Sequence, residues 1–456
     1  MSRLAQLKAY APGIAIVVIF AAFILLEYVI LPARRAAEEQ ALAQKTAAAP
    51  EAVSVATPDT PPQQQAAPAG PEAPPEPAAA PEETLLPTGP QPVIAATTWS
   101  TYHGGQDLSG YVDLDFSQRP SVRWQVLVEG KISQPPVANA QGLYACTNEG
   151  KVAAFDFAGQ ARWTQTLLTV DGAKPERVDA PMACFGDTLV VSTLSGRVHA
   201  LNTDTGEPRW VYDVGSEVLG GAVLHAATTP GEASRLYVIQ REDGALHTID
   251  FATGQGLGKG AAISRTDGSP ALGSGLVVFG SCDFAVHVHD ASQGALLKNI
   301  RLCDDCQVAG GPAVLGDFAY TGSRAGFFYC VNVRTGGIAW TNQDCVEEVF
   351  TTPAVSLDSV VFGAEDGHVY ALDRATGRTK WKQHTGGLPT SAVLARDTVL
   401  VSVDGALQAL NLQDGTPRWN HEVSDHIAAP AIIEGMVLIG SEDGTLVALA
   451  PGGASG

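Results

Sequence analysis

Short apolar runs separated by polar turns recur along this chain from Asp156 to Gly415, and each recurrence keeps the same internal order. An apolar run such as 189–192 comes first, followed by a Ser-Gly or Asp-Gly turn, as at Asp243-Gly244, Asp366-Gly367, Asp404-Gly405 and Asp443-Gly444. Asp-Gly between two apolar runs signals a tight hairpin, because the turn needs positive φ. A second apolar run such as 198–201 or 369–372 follows, then Asp or Asn, two or three residues, and Gly. The Asp or Asn side chain bonds backbone N–H groups two residues on, while Gly takes the left-handed position. The last run usually carries Trp four positions after that Gly. Each copy therefore predicts one small antiparallel sheet.

Seven copies are anchored at Asp156, Asn202, Asp250, Asp290, Asn332, Asp373 and Asn411, spaced 46, 48, 40, 42, 41 and 38 residues apart. That spacing is the period of a propeller blade. Their glycines are Gly159, Gly206, Gly254, Gly294, Gly336, Gly377 and Gly415, and five copies end on Trp163, Trp210, Trp340, Trp381 or Trp419. The third and fourth copies have Gly258 and Lys298 where the others have Trp. An eighth copy opens with Gly-Thr-Leu-Val-Ala-Leu at 444–449 and stops before its Trp, while Ser-Val-Arg-Trp-Gln-Val-Leu at 121–127 matches the missing strand through Trp124. Joining these two segments in one blade would close the ring and remove its sheet edges. A single four-stranded unit cannot bury both faces, whereas a ring of them can. The predicted fold is all-β, an eight-bladed β-propeller over residues 98–456, with Trp124, Trp163, Trp210, Trp340, Trp381 and Trp419 packing between neighbouring blades.

The segment before the propeller has a different pattern. Residues 14–26 are an unbroken apolar run, extended by 28–31 past the single charge Glu27. Spanning a bilayer takes about 20 residues, so 11–32 predicts an uncleaved transmembrane signal-anchor helix rather than the shorter apolar region of a cleaved signal peptide. Residues 1–10 would then be a short cytoplasmic segment, with the propeller outside the cytoplasm, in the periplasm. Arg3 and Lys8 on one side nearly balance Arg34 and Arg35 on the other. No cysteine precedes Cys146, so the sequence offers no acylated-cysteine anchor. Residues 33–97 predict a disordered Pro/Ala-rich linker, since the 13 prolines between 50 and 92 sit among Ala, Gln and Glu with almost no large apolar residues. At about 3 Å per residue such a tether reaches on the order of 100–150 Å.

Charge narrows the partners. The chain carries a formal net charge of −20; residues 1–97 hold 5 basic and 9 acidic side chains, leaving 23 against 39 for the propeller. A surface this acidic argues against nucleic acid or anionic lipid, and acidity also keeps an exported domain soluble.

All seven cysteines lie in the propeller: Cys146, Cys184, Cys282, Cys303, Cys306, Cys330 and Cys345. Cys303, Cys306 and Cys345 follow the last strands of two successive blades, in loops expected to be neighbours. An oxidising compartment favours a bridge from Cys306 to Cys303 or to Cys345; free thiols and a metal or redox centre are the other readings. His199, His247 and His287 each sit three residues before their copy's Asp or Asn, with His289 two residues beyond His287. Equivalent positions in successive blades describe a packing column, against the alternative of a zinc site.

Gly-His-Val-Tyr-Ala-Leu-Asp-Arg-Ala-Thr-Gly-Arg-Thr-Lys-Trp at 367–381 closely resembles the pyrroloquinoline quinone-like propeller repeat, as do 196–210 and 405–419. Trp-Ser-Thr-Tyr-His-Gly-Gly-Gln-Asp-Leu-Ser-Gly from Trp99 resembles the opening of such propellers. The resemblance covers nearly all of 98–451 and implies the fold. The family holds quinoprotein alcohol dehydrogenases and also the non-enzymatic propeller of outer-membrane barrel assembly, to which this chain is closest in size. The dehydrogenases typically place an adjacent Cys-Cys pair over the quinone and insert long loops that build a calcium-binding chamber. No two cysteines here are adjacent and the copies are compact throughout. No Gly-x-Ser-x-Gly, Gly-Lys-Ser/Thr or His-Glu-x-x-His motif occurs. Together with the apolar run at 11–32, the resemblance implies a membrane-anchored, envelope-facing scaffold that binds envelope proteins in their assembly or quality control, without catalytic residues or a cofactor; a quinone-dependent oxidoreductase with calcium, or a small-ligand sensor, is the alternative. Its partner surface is expected to include the 303–306 and 345–350 loops, the latter reading Cys-Val-Glu-Glu-Val-Phe.

Overall fold

A computed structural model describes residues 98–451; the predicted anchor and linker at 1–97 lie outside the described residues. Eight antiparallel four-stranded sheets follow one another as blades, the seventh extended by a fifth strand. Blades 1 to 7 occupy 137–166, 183–213, 223–259, 271–301, 313–342, 354–384 and 393–422. Blade 2 is representative: a short inner strand, Ala183–Phe185, leads to Thr188–Ser192, Arg197–Asn202 and the outer strand Pro208–Asp213. Its first two strands are buried throughout, the third is buried between half-buried ends, and the outer one alternates towards solvent. Two-sided burial explains why the middle runs read as continuous Val, Leu and Ala rather than as a clean alternation.

Blade 8 closes the ring as the sequence predicts. The outer strand Pro120–Leu127 pairs antiparallel with the C-terminal strand Thr445–Pro451, which continues to Met436–Gly440 and Ala431–Ile433. Among the four strands of each blade, sheet order and sequence order part company only here, and an early strand and the last strand are held in one sheet. This blade's core cluster runs on into both neighbours, joining Ile439, Val447 and Leu449 to Leu143 and Phe155 on one side and to Leu400 and Trp419 on the other. At roughly 1.5–3 kcal/mol for each fully buried Val, Leu or Ile, closure is favoured by packing as well as by the ladder.

The Gly…Trp repeat has a joint physical cause. In the Asp156 turn, Oδ1 accepts N–H bonds from Ala158 and Gln160, and Gly159 has φ +81°. The indole of Trp124, on the preceding blade, lies across that turn and donates to the Phe157 carbonyl at 3.0 Å. A Cβ on Gly159 would lie 2.7 Å from the Trp124 ring. The same arrangement joins Trp163 to Thr203, Trp210 to Phe251, Trp340 to Arg374 and Trp381 to Leu412 through Nε1 to carbonyl bonds of 2.8–3.0 Å. Gly is thus required twice at each turn, by its backbone angle and by the neighbouring ring. Trp419 has no such turn ahead of it in blade 8; it donates at 2.9 Å to the carbonyl of Phe116, and Asp115 forms a matching side-chain turn by accepting from Ser117 N.

Candidate functional site

The axis of the ring is occupied by the chain itself. Trp99 bridges Ala138 of blade 1, and the Ser100 carbonyl accepts from Cys184 N of blade 2. Gln106 accepts from Leu224 N of blade 3 through its side chain and from Leu272 N of blade 4 through its carbonyl. Asp107, Ser109 and Gly110 carbonyls then accept from Val314, Val355 and Leu394 of blades 5, 6 and 7. Tyr111–Val112 finishes the path as a parallel strand on the inner strand Val393–Ala395. One short segment therefore takes a bond from the inner strand of seven successive blades. His103, fully buried, sits at its centre with Nδ1 2.7 Å from the Leu108 carbonyl and Nε2 2.8 Å from that of Ala392. Burial lowers the His103 pKa against the pull of those carbonyls.

One face of the ring carries the hairpins between second and third strands together with the connections between blades. These are tied to each other by a repeated bond, in which a hairpin residue donates its N–H to the adjacent connection: Leu194 to Arg177, Arg241 to Glu217, Cys282 to Arg265, Arg324 to Gln307, Glu365 to Glu348 and Glu442 to His426. Large apolar side chains stand exposed on the connections: Leu168 and Val170 after blade 1, Val346 after blade 5 and Leu388 after blade 6. Val346 is 78% exposed beside Glu347 and Glu348. The 345–350 loop is less open than its sequence implies. Val349 is fully buried against Gly322, and Phe350 is covered by the Arg324 guanidinium 4.7 Å above its ring. Leu168, Val170 and Leu388 are residues that sequence reading missed; the exposure of the first two depends on how the 167–178 connection folds back on itself through a Leu168 to Pro175 bridge.

Cys303 is bonded to Cys306, with Cα atoms 5.5 Å apart, while Cys345 is buried away from that pair with its thiol directed at the Glu347 carbonyl. Cys146, Cys184 and Cys330 are buried thiols; burial pushes Cys184 and Cys330 up to about 12, which leaves them inert as nucleophiles. Only Cys282 among the free thiols is partly exposed. The histidines do not converge. His247 bonds Tyr212 Oη and Gln240, and His287 bonds Ser281, Asp283 and Asn299, each inside its own blade or across one seam. Burial lowers His199 and His247 to about 4. Among the described residues no group of three or more His, Cys, Asp or Glu is placed to hold a metal ion. A quinone stacked in the channel needs both an open axis and a cation site. The residues present do not fit it, because 99–112 fill the axis.

A family model described as "Outer membrane protein assembly factor BamB" matches residues 148–383 and, in an overlapping placement, 285–452. The chain belongs to this family. A relative of that name from Yersinia pestis is 24% identical over 281 residues, covering 57% of this chain and 71% of the relative. The crystal structure of BamB from Moraxella catarrhalis superposes with a TM-score of 0.61 at 22% identity, covering 74% of this chain and 99% of that one. Quinohemoprotein alcohol dehydrogenase from Comamonas testosteroni superposes as well, with a TM-score of 0.65 over 80% of this chain and 82% of its own, at 12% identity. Backbone shape is therefore shared by both branches and does not separate them; the family match does.

Proposed function

We propose that this chain is an envelope-facing scaffold that holds protein partners of envelope assembly on its loop face, tethered to a membrane by the apolar run at 11–32. One observation carries the reading. Seven blades direct an inner-strand bond at the chain's own 99–112 segment, so the axial position is taken, while exposed Leu388 and exposed Val170 and Val346, the last two each next to an acidic residue, remain on the loops. Apolar side chains rimmed by polar ones suit contact with another protein. Family membership supports an assembly setting, since the relatives are named as outer membrane protein assembly factors; that step is analogy. The quinone-dependent oxidoreductase is the less supported reading, because it requires the axis to open.

The test is made in cells that naturally produce the chain. Removing it should lower the amount of folded outer-membrane barrels, measured by heat-modifiable mobility, and Val170→Asp with Val346→Asp should reproduce the loss at normal protein level. Unchanged barrel levels on complete removal would overturn the assembly reading.

A further inference from the structure

The connection after blade 4 carries chemistry that a scaffold does not need. It leaves the outer strand Leu296–Arg301 and is pinned twice to the hairpin of its own blade. Leu302 N donates to the Phe284 carbonyl at 2.8 Å, and Val308 N donates to that of Ser281 at 3.0 Å. Between those two bonds runs Cys303-Asp-Asp-Cys306, closed by the disulfide. The bridge joins residues only three apart, in a segment that backbone bonds already hold at both ends. A loop that short removes little freedom from the unfolded chain. Holding the fold therefore does not account for it.

The two sulfurs are unlike. Cys306 is fully buried in a cluster with Val308 and Tyr329, whereas Cys303 is half-buried beside exposed Asp304 and Asp305. A thiol arriving from solvent meets Cys303 first. Each sulfur also has one hydrogen-bond donor. Asp305 N donates to Cys303 Sγ at 3.2 Å. Tyr329 Oη lies 2.9 Å from Cys306 Sγ, and because a bonded sulfur carries no proton the tyrosine donates. That sulfur, a weak acceptor, is the hydroxyl's one partner among the described residues. Burial pushes Tyr329 up to about 12, so it keeps its proton at neutral pH. A donor aimed at a sulfur stabilises the thiolate that forms there when the S–S bond breaks.

We propose that Cys303–Cys306 is an exchangeable disulfide that oxidises a pair of thiols carried on a basic segment of another protein. A thiolate of that pair attacks Cys303 Sγ; the S–S bond breaks and its electron pair goes to Cys306 Sγ, against the Tyr329 O–H. The second thiolate then attacks the substrate sulfur of the mixed disulfide, which forms the substrate's own disulfide and expels Cys303 as thiolate against the Asp305 N–H. Two electrons pass from the substrate to Cys303 and Cys306, and the two protons it gives up end on those sulfurs. The exchange balances without a further oxidant. Charge selects the substrate. Asp304 and Asp305 stand exposed between the cysteines, and Arg301, 3.3 Å from Asp304, answers only one of them. Acids beside the reacting sulfur repel an anionic thiol and favour one flanked by Lys or Arg. The inference does not depend on which envelope process the scaffold serves.

The test uses the oxidised full-length chain and, as probe, a blocked peptide with two reduced cysteines among lysines. After acid quenching and alkylation, the tryptic fragment 302–324, bounded by Arg301 and Arg324, reports the state of Cys303 and Cys306 by mass. The pair should be reduced in the folded chain at least as fast as in the urea-unfolded chain, with one probe oxidised for each chain reduced. The same peptide with glutamates in place of the lysines should react at least about threefold more slowly at low salt, the gap closing as salt rises. Tyr329→Phe should slow exchange about fivefold in the folded chain, the loss of one hydrogen bond at the departing sulfur, and leave the unfolded rate unchanged. Slower reduction in the folded chain than in the unfolded one would mark a staple that the fold protects, and would overturn the proposal. Equal rates for the two probes would overturn the choice of a basic segment. An undiminished rate in Tyr329→Phe would remove its hydroxyl from the step.

Discussion

The seams on either side of blade 3 teach how this ring is held together. Between blades 2 and 3, Trp210 lies across Gly254, donates to Phe251 and leaves no room for a Cβ, which would approach its ring to 2.6 Å. Between blades 3 and 4 the corresponding residue is Gly258, and Tyr237 and Thr248 approach Gly294 instead. Both seams bury apolar clusters, Val214, Val218, Leu236 and Ile249 in the first and Ile239, Leu246, Val277 and Phe279 in the second. The propeller therefore stays closed without every indole. The indole adds a peripheral clamp to a seam whose inner part is already packed, and a missing clamp leaves an open cleft.

The largest effect should come from removing a clamp. Trp381→Ala or Trp419→Ala, each only 9% exposed in the folded chain, should lower stability by about 3–5 kcal/mol, read as a fall in the urea midpoint. A loss below about 1 kcal/mol would erase the distinction between the seams. Adding one methyl group tests the same contrast from the other side. Gly377→Ala meets φ +71° and the Trp340 ring at 2.5 Å and should cost about 2–4 kcal/mol. Gly258→Ala should change stability by less than about 0.5 kcal/mol. Filling the open seam with Gly258→Trp and Thr248→Ala should raise stability by about 0.5–2 kcal/mol.

Acid offers a way to weaken the clamped seam between blades 2 and 3, where Tyr212 meets His247. His199 and His247 have folded values of about 4, well below the unfolded value of about 6.5. In that interval the unfolded state binds more protons, so their contribution is present above pH 6.5 and is lost as pH falls towards 4. His199→Gln with His247→Gln should flatten the dependence of the urea midpoint over this window; an unchanged slope would remove these histidines from the account. The smallest change is one of access. With Cys303 and Cys306 bonded and four thiols buried, iodoacetamide should label one cysteine, Cys282, in the native chain. In Trp340→Ala the opposite residue Cys330 should become a second site.

Much of this was legible in advance for a definite reason. A blade turn is local chemistry: Asp156 bonds residues two and four positions on, and Gly159 supplies the left-handed angle, so a short stretch of chain states its own conformation. The pairing of Trp124 with the C-terminal copy was readable because both halves of blade 8 keep the repeat's grammar. The candidate surface was legible only in part. Val349 reads like Val346 in sequence, yet one is buried and the other 78% exposed, because the fold of the connection over Gly322 decides between them. Gly258 and Lys298 stood out equally as departures from the repeat, and sequence could not tell the open position from the covered one.

The sequence by itself determined the number of blades, their strand order, the closure and the coupling of Gly to Trp, since each rests on contacts within a repeat or between adjacent repeats of known period. The tertiary structure alone decided that residues 99–112 fill the axis and that one seam stays open. Those outcomes need seven inner strands brought round a common centre, and a Lys stem that reaches across one seam while a Tyr hydroxyl takes the free carbonyl at another. Long-range geometry of that kind follows from ring closure, and no residue within the 99–112 stretch records it.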